Sequence, residues 1–359
     1  MLNNDFIPHV TTQKRKALYL GHMIYKMLSI YLGYERYDNR DSYINKRIDT
    51  PGILLSSLFR QCFGKIVKDL KTNIENEIVR WRANNSNVAD IVSEKQHISK
   101  YFKQSSLESS LRYALSTGNW GIKSQGNFQN IKPGVSQVLN RMSYQSTLSH
   151  LRRINTAMEK NGKLVQPRKL DNSQFGMICP AETPEGQPVG LVKNMAMSSN
   201  ISIYGTSYFI KLLLIDNGII EFSDDVKDKD TVDYLIKMGK NVRVMLNGEI
   251  FGYHVEPRKL YNTLRSFKRQ SYINPVTSIS WDITNQIINI STEGGRMYRP
   301  LLIVDDDGTL RYNKFVEKYG LEELSTWTFE AFMSPYLHGK EEMEGFVEYL
   351  DLDEISHAV

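Results

Sequence analysis

Cysteine is nearly absent from this chain, with only Cys62 and Cys179 among 359 residues. Two cysteines cannot build a disulfide framework or a four-ligand zinc site, and their scarcity fits a reducing compartment. Long apolar runs are missing as well: no stretch approaches the ~20 residues needed to cross a bilayer. The start, Met1-Leu2-Asn3-Asn4-Asp5, has no apolar signal core. The seven histidines are scattered, with no pair at ligand spacing beside a cysteine or carboxylate. There is no P-loop, no GxGxxG, and no Asp-rich triplet to hold a catalytic Mg2+. Internal repeats and low-complexity tracts are also lacking. These absences argue against a secreted disulfide scaffold, a helical membrane protein, a zinc site and the common phosphate-binding loops. The expectation is a soluble, intracellular chain.

What is present is ordinary for a folded protein: 41% hydrophobic, 24% charged, with 20 Tyr and 14 Phe. The length suits two or three domains. The charge, however, is unevenly placed. Residues 118–200 hold ten Lys or Arg against four acids, a net of +6, while the whole chain carries +5. From 320 onward ten acids face a single Lys340, a net of −9. A concentrated positive field suits a polyanion better than a high average pI does. The plain alternative is a solvated charged face.

Helical spacing is expected over 14–32 (Ala17, Leu20, Ile24, Met27, Leu28, Tyr31), over 52–83 with Leu55, Leu58, Phe59, Cys62, Phe63 and Ile66 on one stripe, over 105–116, and over 134–154. Cys62 on that stripe reads as a small core residue. Residues 36–51, 122–133 and 155–175 read as loops. After 200 the pattern turns to strands: Ile201–Ile203, Ser207–Ile215, and a hairpin Val242–Leu246 and Glu249–His254 closed by Asn247-Gly248. Pro257 opens a basic helix over 257–269. A second strand pair, Gln286–Ser291 with Met297–Val304, is expected to join through Glu293-Gly294-Gly295. The last residues, Phe346–Leu350 and Ile355, show no helix cap, which suggests a fragment. The fold class is therefore α+β and multidomain.

Glu182 and Glu185 could be read as an acid/base pair. Pro180 and Pro184 hold them in an extended or turn form that suits a structural hydrogen bond, or the orienting of a neighbouring group, better than the opposed environments such a pair needs. Arg152 and Arg153 follow His150 at an expected helix end, and planar guanidiniums suit phosphate oxygens. Gln137 could hydrogen-bond to sugar or base. Any one of these arginines could instead be a surface ion pair. Together, with acids nearly absent, they point to nucleic acid.

Gly176-Met-Ile-Cys-Pro-Ala-Glu-Thr-Pro-Glu-Gly186 and Gly190-Leu-Val-Lys-Asn194 resemble the fork of the second-largest subunit of multisubunit DNA-directed RNA polymerases. Gly134–Arg141, Thr147–Arg153 and Gly162–Arg168 do so in the same order. Phe6–His9, Lys16–Gly21, Asp38–Asp41 and Asn45–Arg47 resemble the family's lobe, and Gly294–Leu302 with Phe346–Tyr349 its external domains. The resemblance is to the eukaryotic or large-DNA-virus type, and it is interrupted at 84–104 and at Lys132-Pro133.

The resemblance implies the end of a helical lobe and a protrusion return over 1–117, a fork over 118–197, a β-rich external-1-like domain over 198–300, and the truncated start of an external-2-like domain over 301–359. It implies part of a nucleotidyltransferase that positions the RNA–DNA hybrid and downstream DNA. The partners would be the largest subunit and other polymerase subunits. By the same resemblance Gln137 and Arg153 approach the hybrid, while Arg152 and His150 line a pocket edge. Loop 122–133 is the first fork loop. Loop 157–169, with Lys163 and Arg168, faces downstream DNA, and Glu185 stands behind the nucleotide-addition site. Metal ligands lie elsewhere, with Mg2+ belonging to the assembled enzyme. Location would be the nucleus for a cellular protein, or host cytoplasm or virion for a viral one. The alternative is a non-catalytic nucleic-acid-binding or regulatory chain of the same fold.

Overall fold

The computed structural model describes residues 6–10, 12–83, 105–121, 132–158, 162, 164–222, 236–237 and 239–357. In chain order its elements begin with α1 (Gln13–Tyr31), α2 (Pro51–Ala83), α3 (Ser105–Thr117), α4 (Tyr144–Leu151), β1 (Arg153–Asn155), β2 (Val192–Asn194) and β3 (Asn200–Ile201). They continue with α5 (Tyr208–Asp216), β4 (Ile220–Glu221), β5 (Val242–Leu246), β6 (Glu249–His254), α6 (Pro257–Arg269), β7 (Ser278–Asp282) and β8 (Ile287–Ser291). Then come β9 (Met297–Leu302), α7 (Arg311–Thr326, broken at Gly320), α8 (Phe329–Met333), β10 (Val347–Asp351) and α9 (Leu352–Ser356). The mixture of helices and sheets is the expected α+β class. The chain forms two compact units, Asp49–Glu159, and Met1–Ile48 together with Lys160–Val359.

In the Asp49–Glu159 unit the stripe of α2 divides. Leu58 and Cys62 are buried with Ala114 of α3 and with Trp120, and Leu54, Leu107, Leu111 and Val135 pack around them. Burial pushes the Cys62 thiol up, as befits a core residue. Leu55, Phe59 and Phe63 stay exposed, with the two phenyl rings stacked 5.9 Å apart. Trp120 donates its indole N–H to the Leu54 carbonyl at 2.7 Å and pairs through its backbone with Lys132.

Two expectations change in the 134–154 segment. Only Tyr144–Leu151 is helical, and the residues before Ser143 run irregularly. Arg152 is the C-cap residue, and Arg153 already belongs to β1. The reason is local. Ser143 and Ser146 form a reciprocal capping box that starts the helix there. Val138 and Met142, 94% and 91% exposed, have no core to face.

The other unit is organised on a five-stranded sheet of order β4-β6-β5-β8-β7. All its pairings are antiparallel except β5 with β8. The β5–β6 hairpin forms as expected. Asn247 and Gly248 take φ of 50° and 78°, the left-handed pair a type I′ turn requires. Val244, Leu246, Phe251, Ile288 and Ile290 form the core with Leu260 and Leu264 of α6 and Leu214 of α5. Lys16 and Ser29, rather than the expected apolar stripe, are the buried residues of α1. Arg15 ties that helix to Glu249 and Glu221, each at 2.7 Å.

Residues 207–215, expected as a strand, instead fall in helix α5 (Tyr208–Asp216) and its N-cap Ser207. Ile210 and Leu214, one turn apart, are its buried face. A near-continuous apolar run has no period of its own, so packing decides. The expected pair 286–291 with 297–304 is also corrected. β8 pairs with β5 and β7, whereas β9 lies between β10 and β3 in a separate sheet. Glu293-Gly294-Gly295 is thus a crossing between sheets, held by hydrogen bonds from the Ile48 N–H to Gly295 O (2.8 Å) and from the Gly295 N–H to Ser202 O (2.8 Å).

The last helix does have a cap: Asp351 and Glu354 form a capping box on α9. The acidic tail is docked on the basic face of α6. Glu348 meets Arg269 at 2.8 Å and Arg265 at 3.1 Å, and buried Glu354 meets buried Lys268 at 2.6 Å.

Candidate nucleic-acid interface

In the Asp49–Glu159 unit, residues 134–143 fold back onto α4 through polar contacts. The Asn140 N–H donates to His150 Nδ1 at 3.0 Å. With Nδ1 accepting, the imidazole hydrogen sits on Nε2. That nitrogen then donates to Gln137 Oε1 at 3.0 Å. The Gln137 amide nitrogen in turn donates to Gly134 O at 3.0 Å. Thr147 closes the fold by donating its hydroxyl to Asn140 O at 2.8 Å. Each polar group therefore orients the next. His150 fixes the Gln137 side chain, which is exposed at the edge of the loop. Arg152 is half-buried at the helix end, and Arg153 is exposed on β1. Lys132 forms an exposed ion pair with Asp49 at 2.5 Å.

The motif Gly176–Asn194 lies in the other unit and is stitched to itself. Backbone bonds link Cys179 N–H to Asn194 O and Ala196 N–H to Met177 O, both at 2.9 Å. Thr183 donates its hydroxyl to Val192 O and accepts from the Gly190 N–H, both at 3.0 Å. Gly190 has φ of +71°, and a Cβ there would come within 2.3 Å of Arg168 O, so only glycine fits. Arg168 donates to Gln187 O at 2.5 Å, Val189 O at 2.9 Å and Gly162 O at 3.2 Å. Its donors are turned onto backbone carbonyls of the motif. Glu185 is exposed, next to Gly186 at φ of 81°.

Lys193 of this motif centres a polar cluster that spacing alone does not single out. Lys193 on β2 is only 6% exposed. Its ammonium donates to Tyr43 Oη at 2.9 Å and reaches Pro167 O at 3.4 Å. It also stands 5.1 Å from the centre of the Tyr43 ring. Burial, then nearby Lys46, lowers the Lys193 ammonium, while Asp41 and Asp171 oppose that shift. Burial likewise pushes the Tyr43 phenol up to about 12, assisted by Asp171 and Asp41. Ser173 accepts from the Tyr43 N–H at 2.9 Å and donates to Asp171 at 2.6 Å. Asp171 also accepts from Asn39 at 2.8 Å. The signal available was a lysine set in the short apolar stretch Gly190-Leu-Val-Lys, where a solvated charge is out of place.

Of the residues expected at the site, Gln137 and His150 are brought together. Arg152 and Arg153 belong to the same unit as that pair, and Arg168 and Glu185 belong to the other. Lys163 and most of loop 122–133 lie outside the described residues, as does segment 84–104. The +6 of the sequence is partly spent inside the fold, since Lys193 is buried and Arg168 and Lys132 have partners in their own units. Arg141, Arg153 and Lys169 are exposed. Among the described residues, no three His, Cys, Asp or Glu are grouped to hold a metal, and no helix is long and apolar enough to cross a membrane.

An α+β chain with a self-stitched, basic, loop-rich segment between helical and β-rich parts has counterparts among known proteins. Residues 1–49, 137–201 and 244–305 match the family models for RNA polymerase Rpb2 domains 2, 3 and 4 respectively. The chain is 37% identical over 369 residues to DNA-directed RNA polymerase II subunit RPB2 of Meyerozyma guilliermondii, covering 99% of this chain and 28% of that protein. It is 36% identical to DNA-directed RNA polymerase II subunit 2 of Arabidopsis thaliana, again over 99% of this chain and 28% of the relative. DNA-directed RNA polymerase subunit Rpo2 of Saccharolobus solfataricus is 31% identical over 100% of this chain and 30% of its own length. The chain belongs to the family of second-largest RNA polymerase subunits, and it spans a little over a quarter of the length of these relatives.

Proposed function

We propose that the chain serves as the lobe-end, fork and external-domain part of a DNA-directed RNA polymerase second-largest subunit. In that role it positions the RNA–DNA hybrid and the downstream DNA beside the catalytic centre. The observation that carries this reading is the match, in order, of three successive domains of one subunit along the chain. The proposed domain limits are 1–117, 118–197, 198–300 and 301–359. Gln137 and Arg153 are the proposed hybrid contacts, and Arg152 and His150 the pocket edge. Lys163 and Arg168 belong to the downstream-facing loop.

The geometry supports this assignment in part. His150 pre-orients Gln137, so little side-chain freedom is lost when that amide meets a partner. Arg168 acts chiefly by shaping its loop, because its guanidinium is occupied by backbone carbonyls. The metal of nucleotide addition is proposed to be Mg2+ held by other parts of the assembled enzyme. Phosphoryl transfer depends on positioning as well as on metal, and positioning is the share assigned to this chain. The partners are the largest subunit, the other polymerase subunits and the template with its hybrid. The place of action is the nucleus in a cell, or host cytoplasm or virion for a virus.

A photo-crosslinking residue placed at Val138, beside Gln137 and 94% exposed, tests the assignment in an assembled elongation complex. Crosslinks to hybrid RNA or DNA from position 138, and none from exposed Tyr336, are expected. No nucleic-acid product from position 138 would contradict it.

A further inference from the structure

Tyr43 and Lys193 have no place among the proposed nucleic-acid contacts, yet they make a buried polar connection to the downstream-facing loop. Lys193 is buried on β2, and its ammonium reaches both the Tyr43 hydroxyl and the Pro167 carbonyl. Pro167 lies in the short 3-10 turn Gln166–Arg168. Arg168, the last residue of that turn, ties it in addition to Gln187 O and Val189 O. Gly190 is packed directly against Arg168 O. The loop 39–46 that presents Tyr43 is pinned in turn, since Tyr43 N–H meets Ser173, and Asn39 meets Asp171. A turn held by two independent sets of hydrogen bonds has little freedom, and residues 164–169 inherit its direction. Burying an ammonium is costly unless its hydrogen bonds are met, so a purely space-filling role would be served better by an apolar residue.

The geometry points to Lys193 and Tyr43 as positioning residues that fix the 164–169 loop, and through it the register of downstream DNA, without touching nucleic acid. This rests on the polymerase reading above. An incoming nucleotide needs the template advanced by one position. A loosened loop lowers the fraction of complexes in that competent state, and apparent affinity falls in proportion to that fraction. The signature is therefore a raised KM for nucleotide with kcat little changed.

The test compares Lys193→Met, Lys193→Arg and Tyr43→Phe in the assembled polymerase. Hydrogen exchange across 164–170 reports the loop, with the β5–β6 hairpin as an internal control. Lys193→Met is expected to speed exchange at least tenfold across 164–170 and to leave the hairpin unchanged. It should raise the KM for nucleotide three- to tenfold with kcat within twofold. Tyr43→Phe should give a smaller effect of the same kind, and Lys193→Arg should restore most of both. Unchanged exchange across 164–170 in Lys193→Met overturns the anchoring. Faster exchange with an unchanged KM, or a fall in kcat alone, overturns the positioning role. Failure of the polymerase reading itself would appear separately, as no nucleic-acid crosslink from position 138.

Discussion

Individual residues show how far chemistry can be placed without the fold. Gln137 and His150 meet at 3.0 Å although thirteen positions separate them. The contact depends on Asn140 donating to the other imidazole nitrogen, which no spacing rule would reveal. Lys193 adds to the positive count of the basic segment, but it is buried against Tyr43. Glu185 follows Pro184 and precedes Gly186, whose φ of 81° turns the chain there. Proline fixes its own φ, so the carboxylate leaves a defined backbone. We propose that it orients a cation near the nucleotide-addition site. Glu185→Gln keeps the shape and removes the charge. The elongation rate is expected to change several-fold, where about 1.4 kcal/mol in the barrier is tenfold in rate, with thermal stability and template binding retained. A lower melting temperature at an unchanged per-nucleotide rate would make Glu185 a structural turn residue instead.

At the scale of elements, the acidic tail and α6 form the clearest electrostatic pairing. Burial drives the Glu348 carboxyl upward, but Arg269 and Arg265 outweigh it and hold the group down at about 2. Its ordinary value is 4.5. A carboxyl depressed on folding contributes stability that is fully present above the unfolded value and is lost as pH falls toward the folded one. The contribution is on the order of 3 kcal/mol, because a tenfold change in proton affinity between the two states is worth about 1.4 kcal/mol. Glu348→Gln should therefore be markedly less stable than the parent in denaturant titrations at pH 6–7. The gap should narrow between pH 4.5 and 2. A gap independent of pH over that window would contradict the assignment.

The same elements show what was legible. Asn247-Gly248 and Pro257 carry backbone instructions of their own, so the hairpin and α6 were readable in place. The α5 run carries none, and burial of Ile210 and Leu214 made it a helix. The exchange of partners between β8 and β9 is set by pairings distant in sequence, which local patterns do not encode. A Ser-x-x-Ser capping box at Ser143 overrode the helical spacing that precedes it.

For the whole molecule, the basic middle and acidic tail have different fates. The tail's carboxylates are largely satisfied within the fold by α6, α7 and nearby hydroxyls. The middle keeps exposed cations, Arg141, Arg153 and Lys169 among them. That asymmetry suits a chain whose positive segment meets a polyanion and whose negative segment closes its own structure. We propose that this segment holds the hybrid, and Arg153 is an exposed residue in the same compact unit as Gln137. The direct measurement is the lifetime of stalled elongation complexes carrying Arg153→Ala across a salt series. Loss of one charge-assisted phosphate contact should cost about 1.5–3 kcal/mol at most. Lifetimes should therefore shorten at every salt concentration, and the logarithmic salt slope should fall by about one, with nucleotide addition retained. Lifetimes and slopes that superimpose on those of the parent enzyme would contradict the account.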